Sequence, residues 1–448
     1  MTDLGLQTEK TILRVLTEAE REGAHVYALL QRARESIKDE YARAYASTLI
    51  RGVTERYLTL DYAIDLFALK KTRNMKPQIR NILRMGAYQV LFMEKVPDAA
   101  AVDTCVRLAR ETGFQMLSGF VNAVLRQMVR EKDKIEYPTN SIRYSVPEWI
   151  CVMLENAYGK TETERMLRWF NEPSGMTLRF DERLTAEEAA RYREAIGRAN
   201  GRIRVTEHRL LPYAYAVTQA SDPRALPGYA EGAFALQDAG AMICAEACGV
   251  KGGDLVVDVC AAPGGKALHL ENRLEACGEG GFVYAFDVSE AKCARIRENA
   301  SRLRASRIRI DVQDARTARE DLAGMADVVL CDVPCSGIGV LGRKADIRYR
   351  LTPDDILALS ALQREIVTAA AGYLKDGGTL VYATCTLTHA ENGNNVRYIT
   401  ESLGLKPSSL KPFMPKALQG ETTLQDGSLT LLPGKYGTDG FFIARFTK

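Results

Sequence analysis

The feature that most constrains the fold of this chain is a regular alternation of short apolar strands with helix-length segments, which begins near residue 236. Segments such as Ser289–Leu303 and Pro353–Leu374 have the length of helices. Alternation of this kind is typical of a parallel, doubly wound sheet. Residues 236–448 are therefore predicted to form a Rossmann-like α/β domain. The strand candidates are Leu255–Asp258, Phe282–Asp287, Ile308–Gln313, Val328–Asp332, Thr379–Ala383 and Phe441–Phe446.

The rest of the chain divides into two further regions. In residues 1–138, apolar side chains such as Ile79, Ile82 and Leu83 recur at helical spacing, which predicts an all-α bundle. Residues 139–235 mix a capping-box pattern at Thr185 and Glu188 with short alternating strands, which predicts a small α/β module. The sequence therefore predicts a multidomain chain with boundaries after residues 138 and 235.

Composition narrows the class of protein. The chain contains no apolar stretch long enough to span a membrane, and Met1–Gly5 shows no secretory pattern. The ten cysteines form no Cys-x-x-Cys pair, which indicates reduced thiols and no metal site. A net charge of +3 is too small to indicate a nucleic-acid partner by itself. We expect a cytoplasmic protein that acts as a monomer.

A glycine-rich turn follows the first strand of the predicted α/β domain. It reads Asp258-Val259-Cys260-Ala261-Ala262-Pro263-Gly264-Gly265-Lys266. Small residues at the carboxyl end of such a strand let a ligand approach the backbone. The turn is not a P-loop, because Cys260 and Ala267 replace the required glycine and hydroxyl residue, and it lacks the dinucleotide-binding glycine pattern. Taken alone, the pattern also fits a tight strand–helix turn.

Acidic residues at the ends of successive strands favour a nucleoside ligand. Asp287 ends the second strand candidate, where ribose hydroxyls are held in folds of this class. Asp314 and Asp332 follow at the ends of the third and fourth. Together with Asp258 they place a carboxylate at four successive strand ends, which packing does not explain.

Two cysteines lie at strand ends on the same edge of the predicted sheet. Cys335 stands in Asp332-Val333-Pro334-Cys335-Ser336-Gly337, and Cys385 stands in Thr384-Cys385-Thr386. A cysteine is more often a small buried residue than a nucleophile. The shared position of the two beside the expected ligand site favours a chemical role.

These motifs resemble those of the RNA cytosine-C5 methyltransferases of the NOP2/Sun family, and the N-terminal region resembles the RNA-binding NusB fold. The catalytic resemblance rests on Cys260–Lys266, Asp287, Asp314, Asp332–Gly337, Thr384-Cys385 and Thr438–Ala444. The NusB resemblance rests on Leu83–Gln89, Val96–Ala100 and Gly119–Arg126. The union of the two is similar to bacterial enzymes that methylate one cytosine of 16S ribosomal RNA.

The resemblance implies S-adenosyl-L-methionine as cofactor, and naked or early-assembled 16S RNA, rather than DNA or a membrane, as partner. It implies that Cys385 is the nucleophile and that Cys335 assists release of the product. Asp332 is the candidate group at N3 of the cytosine, because a hydrogen bond there activates the ring. The implied cofactor-binding residues are Cys260, Ala261, Ala262, Pro263, Gly264, Gly265, Lys266, Asp287 for the ribose, Asp314 for the adenine, and Asp332.

The sequence leaves two alternative functions open and indicates one set of residues that contacts RNA. The same chemistry on another RNA, such as tRNA, stays open. An RNA-binding factor with an inactive methyltransferase domain also stays open, although such a domain has no chemical need for both thiols. The basic residues after the Pro-Cys motif, among them Arg343, Lys344 and Arg348, are expected to contact RNA phosphates.

Overall fold

The computed structural model describes residues 3–22, 26–172, 175–220, 222–425 and 427–448. The chain forms two compact units: unit 1 comprises Met1–Asn171 and Lys344–Arg350, and unit 2 comprises Glu172–Arg343 and Leu351–Lys448. Residues 139–171 thus group with the helical region, and the small α/β region groups with the Rossmann-like region. The division into three domains with boundaries after 138 and 235 stays a prediction.

Unit 1 is helical, as predicted. Its core is apolar and includes Ile79, Ile82 and Leu83 of α5, which begins at Pro77, a residue suited to a first helical turn. The helices are α1 (Asp3–Glu22), α2 (Val26–Ser36), α3 (Glu40–Glu55), α4 (Tyr57–Phe67), α5 (Pro77–Phe92), α6 (Asp98–Glu111), α7 (Ser118–Glu131), α8 (Asn140–Tyr144), α9 (Glu148–Tyr158) and α10 (Lys160–Trp169).

The first part of unit 2 is a small antiparallel sheet with one helix. The described strands pair in the order β2-β3-β1-β4. The helix begins with a complete capping box between Thr185 and Glu188, as the sequence predicts. The elements are β1 (Met176–Phe180), α11 (Ala186–Arg198), β2 (Arg204–Glu207), β3 (Ala214–Thr218) and β4 (Phe234–Leu236).

The second part of unit 2 is the predicted α/β domain. Its helices are α12 (Ala239–Cys248), α13 (Gly265–Cys277), α14 (Glu290–Arg302), α15 (Pro353–Ala371) and α16 (Gly393–Glu401). Its strands are β5 (Leu255–Asp258), β6 (Phe282–Asp287), β7 (Ile308–Val312), β8 (Ala326–Asp332), β9 (Leu374–Thr384), β10 (Lys406–Pro407), β11 (Ser428–Leu431) and β12 (Phe441–Thr447).

The topology of this sheet fixes where a ligand can bind. Its described strands run β10-β12-β9-β8-β5-β6-β7, with β11 paired to β12. Strands β5 to β9 are parallel, so their carboxyl ends meet at one edge, and the order reverses between β5 and β8. Such a reversal marks the ligand crevice of doubly wound sheets. Strand β12 pairs antiparallel to β9, so the sheet is mixed and not wholly parallel.

The length and apolar character of the helices decide whether any of them could cross a membrane. None of the helices in the described part of the chain combines the length and the apolar character that a membrane crossing requires.

Candidate active site

Strand register brings the two cysteine motifs together. Asp332 of β8 pairs with Ala383 of β9, and the Val333 N–H donates to the Ala383 carbonyl at 3.1 Å. Because β8 and β9 are parallel and in register at their ends, the chain leaves both strands at the same level. Cys335 and Cys385 therefore lie on neighbouring loops.

The two sulfur atoms are in contact. Cys335 Sγ lies 3.2 Å from Cys385 Sγ, and the Cys385 N–H donates to Cys335 Sγ at 3.3 Å. Both are reduced thiols, and both side chains are partly exposed. The hydrogen bond with Cys385, together with burial, raises the pKa of the Cys335 thiol well above its usual value. The protonated form of Cys335 is therefore favoured, and either sulfur can act as the S–H donor of the pair.

A glycine allows this close approach of the loops. Gly339 donates from its backbone N–H to the Cys385 carbonyl at 3.0 Å. A Cβ at this position would lie 2.5 Å from the Gly440 carbonyl oxygen and 2.8 Å from that of Cys385. Any side chain at residue 339 would thus push the cysteine loops apart.

Lys266 and Asp332 form a largely buried ion pair beside the cysteines. Lys266 Nζ lies 2.5 Å from Asp332 Oδ2 and 5.1 Å from the centre of the Phe441 ring. Burial opposes the charge on the ammonium, but Asp332, Cys244 and Asp258 together raise the pKa of Lys266 above its usual value. The pair brings Lys266 of the glycine-rich turn to the start of the Pro-Cys motif.

Asp258 provides an unsatisfied buried acceptor at the end of β5. Its side chain is 1% exposed, and Oδ1 accepts from the Cys260 N–H at 3.3 Å. Within the described part of the chain, Oδ2 has no hydrogen-bond partner. Burial, followed by repulsion from Asp332, raises the pKa of Asp258 to about 7. A buried acceptor of this kind is satisfied by a ligand that donates a hydrogen bond.

Asp287 anchors the glycine-rich turn to β6. Its Oδ2 accepts from the Ala262 N–H at 3.0 Å, while Oδ1 accepts from the Val288 N–H at 2.8 Å and lies 3.0 Å from Lys292 Nζ. A carboxylate offers about four acceptor positions. One position of Asp287 therefore stays available to a ligand.

Asp314 is placed differently from the other carboxylates. It follows β7, its side chain is 40% exposed, and it pairs with Arg316 at 2.7 Å. The structure therefore unites Asp258, Asp287, Asp332 and the two cysteines at one edge, with Asp314 at its more exposed side.

Gln237 lies beside the candidate site and is a residue that the sequence analysis missed. It follows β4, is 7% exposed, and its Oε1 accepts from Arg179 Nε at 2.8 Å. This bond fixes the orientation of the amide, so Nε2 is a donor, and it has no partner within the described residues. A Cβ on Gly265 would lie 3.8 Å from Gln237 Cγ, which places the amide beside the glycine-rich turn. Its only sequence signal is a polar residue directly after a strand.

The expected phosphate contact is wrong for Arg348, whereas that of Arg343, whose side chain is 35% exposed, stays a prediction. Arg343 pairs with Asp439 and, at 3.3 Å, with Asp238. Arg348 is fully buried in unit 1, where its guanidinium donates to four backbone carbonyls, those of Glu55, Tyr144, Ser145 and Phe170. A side chain bonded in this way cannot reach RNA. Lys344 is exposed, and its phosphate contact stays a prediction.

Comparisons with known proteins place the chain in a family. Residues 247–447 match the family model "16S rRNA methyltransferase RsmB/F", and residues 7–130 match that of the NusB family. The latter agrees with the predicted NusB-like fold of the N-terminal region. In structure, the chain is similar to PH0851, with a TM-score of 0.77 over 98% of both chains at 23% identity, a likeness that shows the fold.

Curated relatives match over almost the full length. The probable ribosomal RNA small subunit methyltransferase B of Synechocystis is 34% identical over 422 residues, which cover 91% of each chain. The protein of the same description from Bacillus subtilis is 33% identical over 450 residues, which cover 97% of each. The chain therefore belongs to the RsmB/F family of S-adenosylmethionine-dependent 16S rRNA methyltransferases.

Proposed function

We propose that this protein methylates carbon 5 of one cytosine in 16S ribosomal RNA through a covalent adduct between Cys385 and the base. The observation that carries the proposal is the 3.2 Å contact between Cys335 and Cys385 at the ligand-binding edge of the sheet. Methyl transfer to an oxygen or nitrogen atom has no need of a thiol. Two thiols in contact suit a reaction in which a bond to sulfur forms and is then broken.

Polar groups around the glycine-rich turn fit S-adenosylmethionine. The unpaired Asp258 Oδ2 is an acceptor for a cationic donor, and Gln237 Nε2 is a donor for a carboxylate. The methionine portion of the cofactor carries both kinds of group. Asp287 keeps an acceptor position for a ribose hydroxyl, and Asp314 is proposed to bind the adenine amino group. The chemistry that the cofactor supplies is an activated methyl group.

The affinity for S-adenosylmethionine is expected to rise from about pH 6 to about pH 8 because Asp258 ionises in this range. Its raised pKa leaves it largely uncharged below about 7, where it attracts a cationic ligand weakly. Asp258→Asn carries no charge at any pH, so it should bind more weakly and lose this component of the pH dependence. Calorimetric titrations of both proteins across the range check the prediction. Parallel pH curves for the two would contradict it.

The thiol of Cys385 makes the ring reactive. Carbon 5 of cytosine is a weak nucleophile, and addition of the thiolate at carbon 6 turns the ring into an enamine that attacks the methyl group from carbon 5. With the proton on Cys335, the hydrogen bond between the two sulfur atoms stabilises a Cys385 thiolate. Asp332, held by Lys266, is proposed to hydrogen-bond to the ring on its N3 side.

Release of the product is the proposed task of Cys335. A base must remove the proton from the methylated carbon 5, after which the electron pair of that C–H bond restores the double bond and expels Cys385 from carbon 6. Cys335, or a water that it positions, takes part in this step.

Binding of the RNA is the proposed task of the NusB-like unit. The target cytosine must be unstacked from its neighbours before it can reach the cysteines.

A methyl-transfer assay with labelled S-adenosylmethionine tests the proposal. The RNAs are naked 16S RNA, partly assembled and complete small subunits, and tRNA, and bisulfite sequencing locates the product. The expected result is one 5-methylcytosine in naked or early-assembled 16S RNA. Transfer to tRNA would favour the rival substrate, and absence of transfer to any of the RNAs would favour the RNA-binding factor. A product at another atom of the base would overturn the proposed chemistry.

A further inference from the structure

A buried carboxylate that the proposed mechanism does not use lies next to the cysteine pair. Glu391, between β9 and α16, is fully buried. Its Oε1 accepts from the Ser336 N–H at 2.8 Å and from Gln363 Nε2 at 2.9 Å. Its Oε2 accepts from the Ser336 hydroxyl and, at 2.7 Å, from the Thr388 hydroxyl. Its four acceptor positions are therefore filled.

These bonds fix the residues on both sides of Cys335. Ser336 is held through both its N–H and its hydroxyl group. Pro334 is held because its carbonyl accepts from Gln363 Nε2 at 2.9 Å, and that same nitrogen donates to Glu391. The Ser336 hydroxyl also lies 2.7 Å from Thr386 Oγ1, next to Cys385. One carboxylate thus joins the Pro-Cys loop to the Thr-Cys loop.

We propose that Glu391 is a positioning residue, which sets Cys335 against Cys385 and thereby controls release of the product. The inference rests on the proposed function. A neutral side chain could tie the loops without the cost of burying a charge. The charge of Glu391 also has an electrostatic effect, since it is among the causes that raise the pKa of Cys335. A loss of this charge should therefore change the chemistry of Cys335 even where the loop geometry is kept.

The Glu391→Gln variant removes the negative charge of the side chain while its hydrogen bonds to the cysteine loops can be kept. The amide oxygen can accept from the Ser336 N–H and from Gln363, while the amide nitrogen can donate to the hydroxyl oxygens of Ser336 and Thr388. Alkylation of Cys335 by iodoacetamide, followed by mass spectrometry without RNA, should then show a lower pH midpoint than in the wild type. Ser336→Ala is the matched control, because it removes the two hydrogen bonds of the hydroxyl, to Glu391 and Thr386, and keeps the charge, so its midpoint should stay close to the wild-type value.

The kinetic test measures turnover and covalent adduct with 16S RNA. Glu391→Gln should lower kcat at least about tenfold, with KM for RNA unchanged and with more enzyme trapped as adduct, because the lost charge changes the acidity of Cys335, and proton transfer by a positioned side chain contributes about a hundredfold or more. Glu391→Asp keeps the charge but withdraws it by one methylene, and it should also trap adduct. It serves as the second variant if the glutamine variant is unstable.

The outcomes distinguish this inference from the proposed function. Wild-type adduct levels and turnover in both variants, or an unchanged alkylation midpoint in Glu391→Gln, would overturn the positioning role. A wild-type protein that makes no 5-methylcytosine would instead overturn the proposed function. The alkylation measurement would still report whether Glu391 controls Cys335, since it uses no RNA.

Discussion

Replacement of Cys385 by alanine should lower the rate of methyl transfer by at least about a thousandfold, because loss of a nucleophile removes the covalent route altogether. Without addition at carbon 6, carbon 5 stays a poor nucleophile and the methyl group has no acceptor. The substitution deletes one sulfur atom from a partly exposed side chain. RNA and cofactor affinities should therefore stay near the wild-type values, so the loss should appear in kcat.

Single-turnover kinetics with labelled methyl donor and 16S RNA measure this effect. Cys277→Ala is the matched control, since Cys277 is an exposed free thiol at the end of α13, and this variant should keep full activity. A Cys385→Ala enzyme that keeps about a tenth or more of the wild-type rate would contradict the nucleophile assignment, given the size of the effect expected for such a residue.

Replacement of Arg348 by alanine should destabilise unit 1 by about 3 kcal/mol, because it removes four hydrogen bonds from a charged donor and empties the space of a large, fully buried side chain, and the loss of such a buried group typically costs several kcal/mol. The guanidinium donates to the carbonyls of Glu55, Tyr144, Ser145 and Phe170 at 3.2 to 3.4 Å. A lysine at this position keeps the charge but has no planar fork for several acceptors, so Arg348→Lys should recover only part of the stability.

Urea denaturation of the full-length protein, followed by the loss of helical ellipticity, measures this effect. Lys344→Ala is the control from the same segment, and it should change stability by less than about 0.5 kcal/mol because the side chain is exposed. Equal midpoints for Arg348→Ala and the wild type would contradict the structural role of Arg348.

The sequence predicts the site well where a rule of topology applies. Parallel strands end at a common edge, so the positions of Asp258, Asp287 and Asp332 follow from the strand pattern alone. The adjacency of Cys335 and Cys385 follows in the same way. The direction of β12 does not, because a nearly continuous apolar run, buried on both faces, is the same for a parallel and an antiparallel strand.

The sequence predicts less where a role depends on tertiary contacts. Arg348 stands in a run of basic residues, and such a run does not tell a solvated side chain from one that binds buried carbonyls. Glu391 lies in a polar stretch with no apolar periodicity, so nothing local indicates its burial. Gln237 acquires its free donor only because Arg179, which is distant in sequence, binds its oxygen.

The most direct test of the central claim compares two variants on denaturing gels and by mass spectrometry. Each variant is incubated with 16S RNA and S-adenosylmethionine. Cys335→Ala should form the adduct at Cys385 but fail to resolve it, so a covalent RNA–protein species should accumulate. Cys385→Ala should form none. An adduct that accumulates with Cys385→Ala and not with Cys335→Ala would contradict the assignment of the two cysteines.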